Sequence, residues 1–394
     1  MLLAALLLPV AVAALVLAVQ RFGIPVFLAI MAVVMGYGVA ADMTWQSIGK
    51  AFGLGFVDAL EQTGLLVMAG SLVGALLLKR PLTSAGSLVA GIVAGLGGTA
   101  PGGLALLQPA ADGVPRRALL LALVLLLVHA LLVPSPLAVA SMSVMKADLR
   151  MALAVGLPAA VIGALVAWLL ARRLPDGESG APSVGWLAIA LPLALLLVQS
   201  IAQMPTEPLG KGGAREFYTG ISHPLVLAML AIVLAMLLSR RWQPTVLADT
   251  GWAPLLLAVG AAGGFARVLD ETGMAELWAE RFADPRLGLL APFLAAATVK
   301  TLQGNSLSAV LTASGMIEPL LPRLGLDSAT GRALAAAAVG AGSIAICHVN
   351  DPFFWIAAGM MRLPPGRALL AISLGSLLVS IAALGVLATL GVIL

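Results

Sequence analysis

The residues best placed to do chemistry are His348, Asn350 and Asp351, which interrupt an otherwise apolar run from Ser343 to Ala357. A carboxylate at bilayer depth costs roughly 2.5 to 3.5 kcal/mol on insertion scales, so one is kept there chiefly where it binds or carries something. Pro352 follows at once. Proline removes a backbone donor and disfavours helix at the residue before it. The helix is therefore predicted to break at Asn350 and Asp351, turning free amides and carbonyls toward a cavity. A kink whose polar groups only satisfy neighbouring helices is the alternative, but three such groups exceed what a kink needs. Asp351 is expected to exchange a proton, with His348 three residues earlier as its tuner or partner.

Two more polar stretches break apolar regions. Gly97-Gly98-Thr99-Ala100-Pro101-Gly102-Gly103 splits 84–111, and Lys300-Thr301-Leu302-Gln303-Gly304-Asn305-Ser306-Leu307-Ser308 splits 287–320. Each region is too short for two crossings, so a re-entrant hairpin with the polar stretch at its tip is expected. The helix leaving such a tip aims its unsatisfied N–H groups and positive dipole end at whatever is bound there, which favours an anion. Candidate substrate ligands are Gly98, Thr99, Gly102 and Gly103 at the first tip and Gln303, Gly304, Asn305, Ser306 and Ser308 at the second, with His348 and Asn350 at the helix break. Glycine-rich crossings packed helix to helix are the competing reading, weaker for the second region with its Gln, Asn and Ser side chains.

Other polar residues have weaker claims. His129, twelve residues beyond Arg117, joins Asp351 and His348 as a candidate proton-coupling group, or else hydrogen-bonds across helices. Lys300 either snorkels to the interface or lends charge to an anion's path. His223, ahead of Pro224, reads as interfacial, and Asp270-Glu271 near Gly273 as a solvated outer loop. The single cysteine, Cys347, permits no internal disulfide and is expected to pack.

The elements that must hold these residues are membrane helices. The chain is 61% hydrophobic and 10% charged, with a mean hydropathy of +1.08, which a soluble domain could not keep from aggregating. Apolar runs of roughly 17 to 25 residues fit helices, whereas barrel strands would alternate over about 10. The pI of 9.6 reports arginine-rich loops and not nucleic-acid binding. Leu2 to Val19 has no basic segment ahead of it and reads as a first span, not a cleaved signal. Spans are predicted near 2–19, 24–41, 62–78, 117–141 and 151–171, then near 184–201, 222–239, 252–268, 332–359 and 368–392. With the two hairpins this gives an all-α polytopic membrane protein. Arg21, Lys79-Arg80, Arg116-Arg117, Arg172-Arg173, Arg240-Arg241, Arg362 and Arg367 then share one side, predicted cytoplasmic. The opposite loops mix bases with Asp58, Glu61, Glu207, Asp270, Glu271, Glu276, Glu280 and Asp284, and both termini are expected outside.

The two halves are related. Arg117-Ala-Leu recurs as Arg332-Ala-Leu, 215 residues on, and Pro134-Ser135-Pro136 as Asn350-Asp351-Pro352, 216 on. Gly70-Ser-Leu-Val-Gly74 parallels Gly260 to Gly264, and Gly97–Gly103 sits where Gln303–Ser308 sits later. Five spans per half place the second copy upside down relative to the first, the signature of an inverted-repeat transporter. The predicted domains are a first repeat at 1–174 (hairpin 84–111), a connecting loop at 175–183 and a second repeat at 184–394 (hairpin 287–320).

Gln303-Gly-Asn-Ser, Thr312-Ala-Ser-Gly-Met-Ile, Gly340-Ala-Gly-Ser343 and Cys347-His-Val-Asn-Asp351 ahead of Phe354-Trp355 resemble the gluconate permease family of the ion transporter superfamily. The likeness is strongest over the last hundred or so residues. It implies proton-coupled uptake of sugar acids such as gluconate across the bacterial inner membrane, with a hairpin-bearing transport domain moving against a scaffold, elevator fashion. Three pocket positions depart from the family. Thr99-Ala100-Pro101 replaces a Phe-Phe-Asp, Ser135 stands where the family has a histidine between prolines, and Lys300 replaces an arginine. Ser135 thereby joins the substrate-binding candidates, and the departures put the substrate in question. Expected partners are a small organic anion, protons and the bilayer, with a homodimer compatible and no nucleic acid. No cofactor or metal is called for. Na⁺-coupled transport of another carboxylate is the nearest alternative, and a membrane-embedded hydrolase using His348 and Asp351 a remote one, since no His-Glu-x-x-His or phosphate loop is present.

Overall fold

A computed structural model describes residues 2–77, 81–178, 184–240, 250–274, 281 and 284–394. Lys79, Arg80, Arg241, Glu276 and Glu280 of the orientation argument lie outside the described residues, as does part of the 175–183 loop. All regular structure among the described residues is helical. The first half contains α1 (Leu2–Phe22), α2 (Val26–Ala40), α3 (Trp45–Ala59), α4 (Leu65–Leu77), α5 (Ser84–Gly95), α6 (Ala100–Leu106), α7 (Gln108–Ala111), α8 (Pro115–Leu131), α9 (Pro136–Met145) and α10 (Leu149–Ala171). The second contains α11 (Leu187–Ala202), α12 (Gly213–Ile221), α13 (Pro224–Ser239), α14 (Trp252–Asp270), α15 (Leu290–Gln303), α16 (Ser306–Ile317), α17 (Ala329–Gly342), α18 (Pro352–Met361) and α19 (Pro365–Ile393).

Six stretches among the described residues are long and apolar enough to cross a bilayer, and the α12–α13 pair, bent by 49°, makes a seventh. The chain is a multi-pass membrane protein. Helix α8 is apolar around its whole circumference between Arg117 and His129, and accordingly it is buried and lies at the centre. Helix α5 spans about 18 Å at 1.5 Å per residue, well short of a bilayer core. The backbone N–H of Leu82 donates to the Ala110 carbonyl at 2.8 Å, so the segment returns to where it began. That closure makes 84–111 a hairpin. Helices α15 and α16 pack on each other about a turn at Gly304-Asn305 and form the second.

Two differences from the sequence reading concern the site. Residues 42–61 were expected to be loop, yet the helix runs from Trp45 through a π-turn at Leu60–Gly64 to Leu77. Asp58 and Gln62 depress the hydropathy there because they face a cavity, not because the chain leaves the helix. The second-half break also begins earlier, at Ser343, and Ile346 adopts a positive φ of 47°. Irregular backbone inside a membrane protein must be satisfied by other groups. Serines of α19 do this: Ser373 Oγ donates to the Cys347 carbonyl at 2.7 Å and Ser376 Oγ accepts from Cys347 N–H at 3.0 Å.

The hairpins and broken helices are tied crosswise. Arg362, the left-handed cap of α18, pairs with Asp112 at the end of the first hairpin at 2.5 Å. Lys146, the left-handed cap of α9, pairs with Glu318 at the end of the second at 2.7 Å. Lys146 to Arg362 is 216 residues and Asp112 to Glu318 is 206, the offsets that also relate Ser135 to Asp351 and Thr99 to Asn305.

Candidate functional site

Four helix starts converge. At the hairpin tips Gly98 (φ 62°) and Gly304 (φ 71°) take the left-handed turn that glycine tolerates, and each is followed by a capping side chain. Thr99 Oγ1 accepts from Gly102 N–H at 3.2 Å to start α6, and Asn305 Oδ1 from Leu307 and Ser308 N–H at 2.8 and 3.2 Å to start α16. At the helix breaks Ser135 Oγ accepts from Leu137 N–H at 3.3 Å to start α9, and Asp351 Oδ1 from Phe353 N–H at 2.8 Å to start α18. All four termini reach one cavity of about 270 Å³. Its walls are completed by Asp58, Gln62 and Thr63 on α3 and the π-turn, Arg267 and Asp270 on α14, and His129 on α8.

The charges inside are arranged in contacts. Lys300 Nζ sits 2.5 Å from Asp351 Oδ2 and donates to the Gly304 carbonyl at 3.1 Å. Cys347 does more than pack, because its thiol donates to the same Asp351 oxygen at 3.2 Å. Lys300 does not snorkel; its side chain is 1% exposed. Across the cavity Arg267 pairs with Asp270 at 3.1 Å and Glu271 at 2.8 Å, and Gln303 Nε2 donates to Asp270 at 2.7 Å. Asp270 is thus a cavity residue and not part of a solvated loop. His129 Nδ1 lies 2.9 Å from Ser135 Oγ and 3.2 Å from the Gly95 carbonyl, which can only accept, so Nδ1 carries the hydrogen.

Of the residues singled out from sequence, Gly98, Thr99, Gln303, Gly304, Asn305, Ser306, Ser308, Asp351 and His129 line this cavity. Gly102 and Gly103 pack inside the first hairpin, where an added Cβ on Gly102 would stand 2.9 Å from Thr99 Oγ1. Ser135 is fully buried behind His129. His348 and Asn350 lie behind the second tip, because the last carbonyls of α15 have no helical acceptor role left and need donors. His348 Nε2 lies 2.7 Å from the Thr301 carbonyl, and the Asn350 amide donates to Thr301 and Leu302 at 3.2 and 3.3 Å. A larger groove of about 870 Å³ between α1 and α19 has His348 in its floor. It is apolar almost throughout, so the smaller polar cavity is the one an anion would enter.

Sequence reasoning missed Asp58, Arg267 and Asp270. The available signal was spacing: Arg267 with Asp270 and Glu271 at i+3 and i+4 on an unbroken helix, and glycines on both partners of the α3–α14 contact. An added Cβ on Gly263 would stand 2.5 Å from the Gly55 carbonyl, so only glycine allows this approach.

A membrane-spanning helical protein in which hairpin tips and helix breaks gather around a polar cavity belongs to the class of solute transporters. The comparison with protein families narrows this: residues 113–393 match the GntP family permease model, and the chain belongs to that family. It is similar to the low-affinity gluconate transporter of Escherichia coli K12, 30% identical over 382 residues, covering 84% of this chain and 85% of that one. The gluconate permease of Pseudomonas aeruginosa is 25% identical with 88% of each covered. The Gnt-II system L-idonate transporter of Escherichia coli K12 is 26% identical, with 96% and 97% covered. The relatives are transporters, and this chain is a permease and not a hydrolase.

Proposed function

We propose that the protein takes up a sugar acid such as gluconate across the bacterial inner membrane by proton symport. The observation that carries this reading is the meeting of four helix N-termini, Lys300 and Arg267 at one small cavity, with the carboxylates Asp58, Asp270 and Asp351 beside them, a mix of donors and acceptors that suits a carboxylate bearing several hydroxyls. The relatives' named substrates, gluconate and L-idonate, are sugar acids of that kind. Of the three coupling groups read from the sequence, Asp351 and His129 face the cavity, as do Asp58 and Asp270, whereas His348 lies behind the second tip.

For the architecture we adopt the inverted repeat of 1–174 and 184–394, five spans and one hairpin each. The crosswise pairs Asp112–Arg362 and Lys146–Glu318 support it, since each half's hairpin is tied to the other half's broken helix at the repeat offsets. The hairpins and broken helices then belong to the moving unit of an elevator. Counterflow of labelled gluconate in proteoliposomes tests the transport reading. Exchange that is saturable and blocked by unlabelled gluconate is expected, and its absence with other sugar acids as well would refute it.

A further inference from the structure

We infer that Asp270 and the substrate carboxylate compete for one donor pair, and that Asp270 takes up a proton when the substrate displaces it. The inference rests on the sugar-acid reading above and concerns how that site couples. Gln303 Nε2 donates to Asp270 Oδ1 at 2.7 Å and Arg267 Nη1 to Oδ2 at 3.1 Å, so each carboxylate oxygen has its own N–H donor. Two converging donors of this kind are what an incoming carboxylate needs. They belong to different elements, Gln303 to the hairpin tip and Arg267 to α14, and both line the cavity. Arg267 stays in place without Asp270, because its Nη2 is held by Glu271 at 2.8 Å. Asp270 ends its helix and its side chain is 34% exposed, so a displaced carboxylate has space beside it.

Two carboxylates cannot share one donor pair while both are charged; a like charge nearby favours protonation of one of them. Among the described residues, the charged and titratable groups around Asp270 are Arg267 and Glu271 on its own helix, Asp58 on α3, Lys300 on α15, Asp351 at the start of α18 and His129 on α8. Asp351 is the more deeply buried of the two carboxylates, 5% exposed against 34%, with Lys300, Cys347 and Phe353 N–H on its oxygens. The step balances: the substrate anion gains the two N–H donors, Asp270 gains one proton from the side that admitted the substrate, and the proton leaves when the substrate does. A monovalent sugar acid then crosses with one proton and no net charge.

The test is equilibrium binding of gluconate to the full chain in detergent between about pH 5.5 and 8, with proton uptake read in weak buffer. The wild type should lose up to about tenfold in affinity per pH unit at the alkaline end and absorb about one proton per gluconate bound. Asp270→Asn keeps an oxygen for Gln303 but cannot ionise, so it should bind with an affinity that barely changes over this range and absorb no proton. A variant that keeps the wild-type pH slope, or a wild type that binds gluconate without proton uptake, overturns the role of Asp270 and leaves the anion site standing. A wild type that binds neither gluconate nor any other sugar acid overturns the functional reading, and this one with it. If the variant does not fold, binding by the wild type without proton uptake still overturns the proposal, and Asp270→Glu, which keeps an ionisable carboxyl, should retain the pH slope.

Discussion

Lys300 Nζ lies 2.5 Å from Asp351 Oδ2, with the two side chains 1% and 5% exposed, an ion pair that joins a hairpin tip to the neighbouring helix break. Desolvating both charges is costly, and such a pair holds only where further hydrogen bonds complete it. Here the Gly304 carbonyl, the Cys347 thiol and the Phe353 N–H do so.

Removing one partner strands the other. Lys300→Met should destabilise the protein by about 3 to 5 kcal/mol, the usual cost of an uncompensated buried charge. The double variant Lys300→Met, Asp351→Asn should recover much of that loss. Thermal unfolding in detergent reads both, and simple additivity of the two substitutions would show that the pair is not coupled.

Asn305 separates capping from anion binding. Asn305→Ala removes the cap of α16 and should weaken gluconate binding by about 1 to 3 kcal/mol. Asn305→Asp keeps the capping oxygen but puts a charge at the tip, so it should fold as the wild type does and bind far more weakly. Equal binding by Asn305→Asp and wild type would remove this tip from the anion site.

Asp176 gives a pH prediction away from the membrane. Burial pushes its carboxyl up, but the Arg116 hydrogen bond, the Gly177 N–H and the Arg117 and Arg116 charges outweigh this and hold it below the ordinary value of 3.8. A carboxylate lowered by folding stabilises above its unfolded value and loses that contribution as pH falls through the folded one. The difference in unfolding temperature between wild type and Asp176→Asn should therefore be present at neutral pH, begin to shrink at about pH 4 and disappear only below the lowered folded-state value. The effect should be small, because the side chain is a third exposed.

Topology is open to labelling. In a Cys347→Ala background, cysteines at the exposed positions Arg173 and Asp284 should react with impermeant reagent from opposite sides of the membrane. Labelling from one side only contradicts the inverted repeat.

The parts of the fold that were legible in the sequence were those where backbone chemistry speaks through residue type. Gly98-Thr99 and Gly304-Asn305 announce a left-handed turn and a cap, and Pro352 announces a helix start, whereas the break before Pro136 falls inside what reads as one span at 117–141. The repeat offset located both sets. The cavity's second wall was illegible because hydropathy averages over a window: Asp58 and Asp270 looked like loop acids, and only their cavity-facing positions on continuous helices show otherwise. Asn350 and His348 read from the sequence as substrate ligands, whereas their side chains turn to the Thr301 and Leu302 carbonyls. The sequence marks the break, but which side of it each side chain takes depends on the α15 carbonyls that lie behind the tip.

Uptake of labelled gluconate into sodium-free proteoliposomes, with the interior more alkaline than the outside, tests the central claim most directly. Proton symport into the cavity predicts accumulation above the external concentration that collapses when a protonophore dissipates the gradient. Mere equilibration under the pH gradient, with accumulation appearing only when a Na⁺ gradient replaces it, would contradict the account.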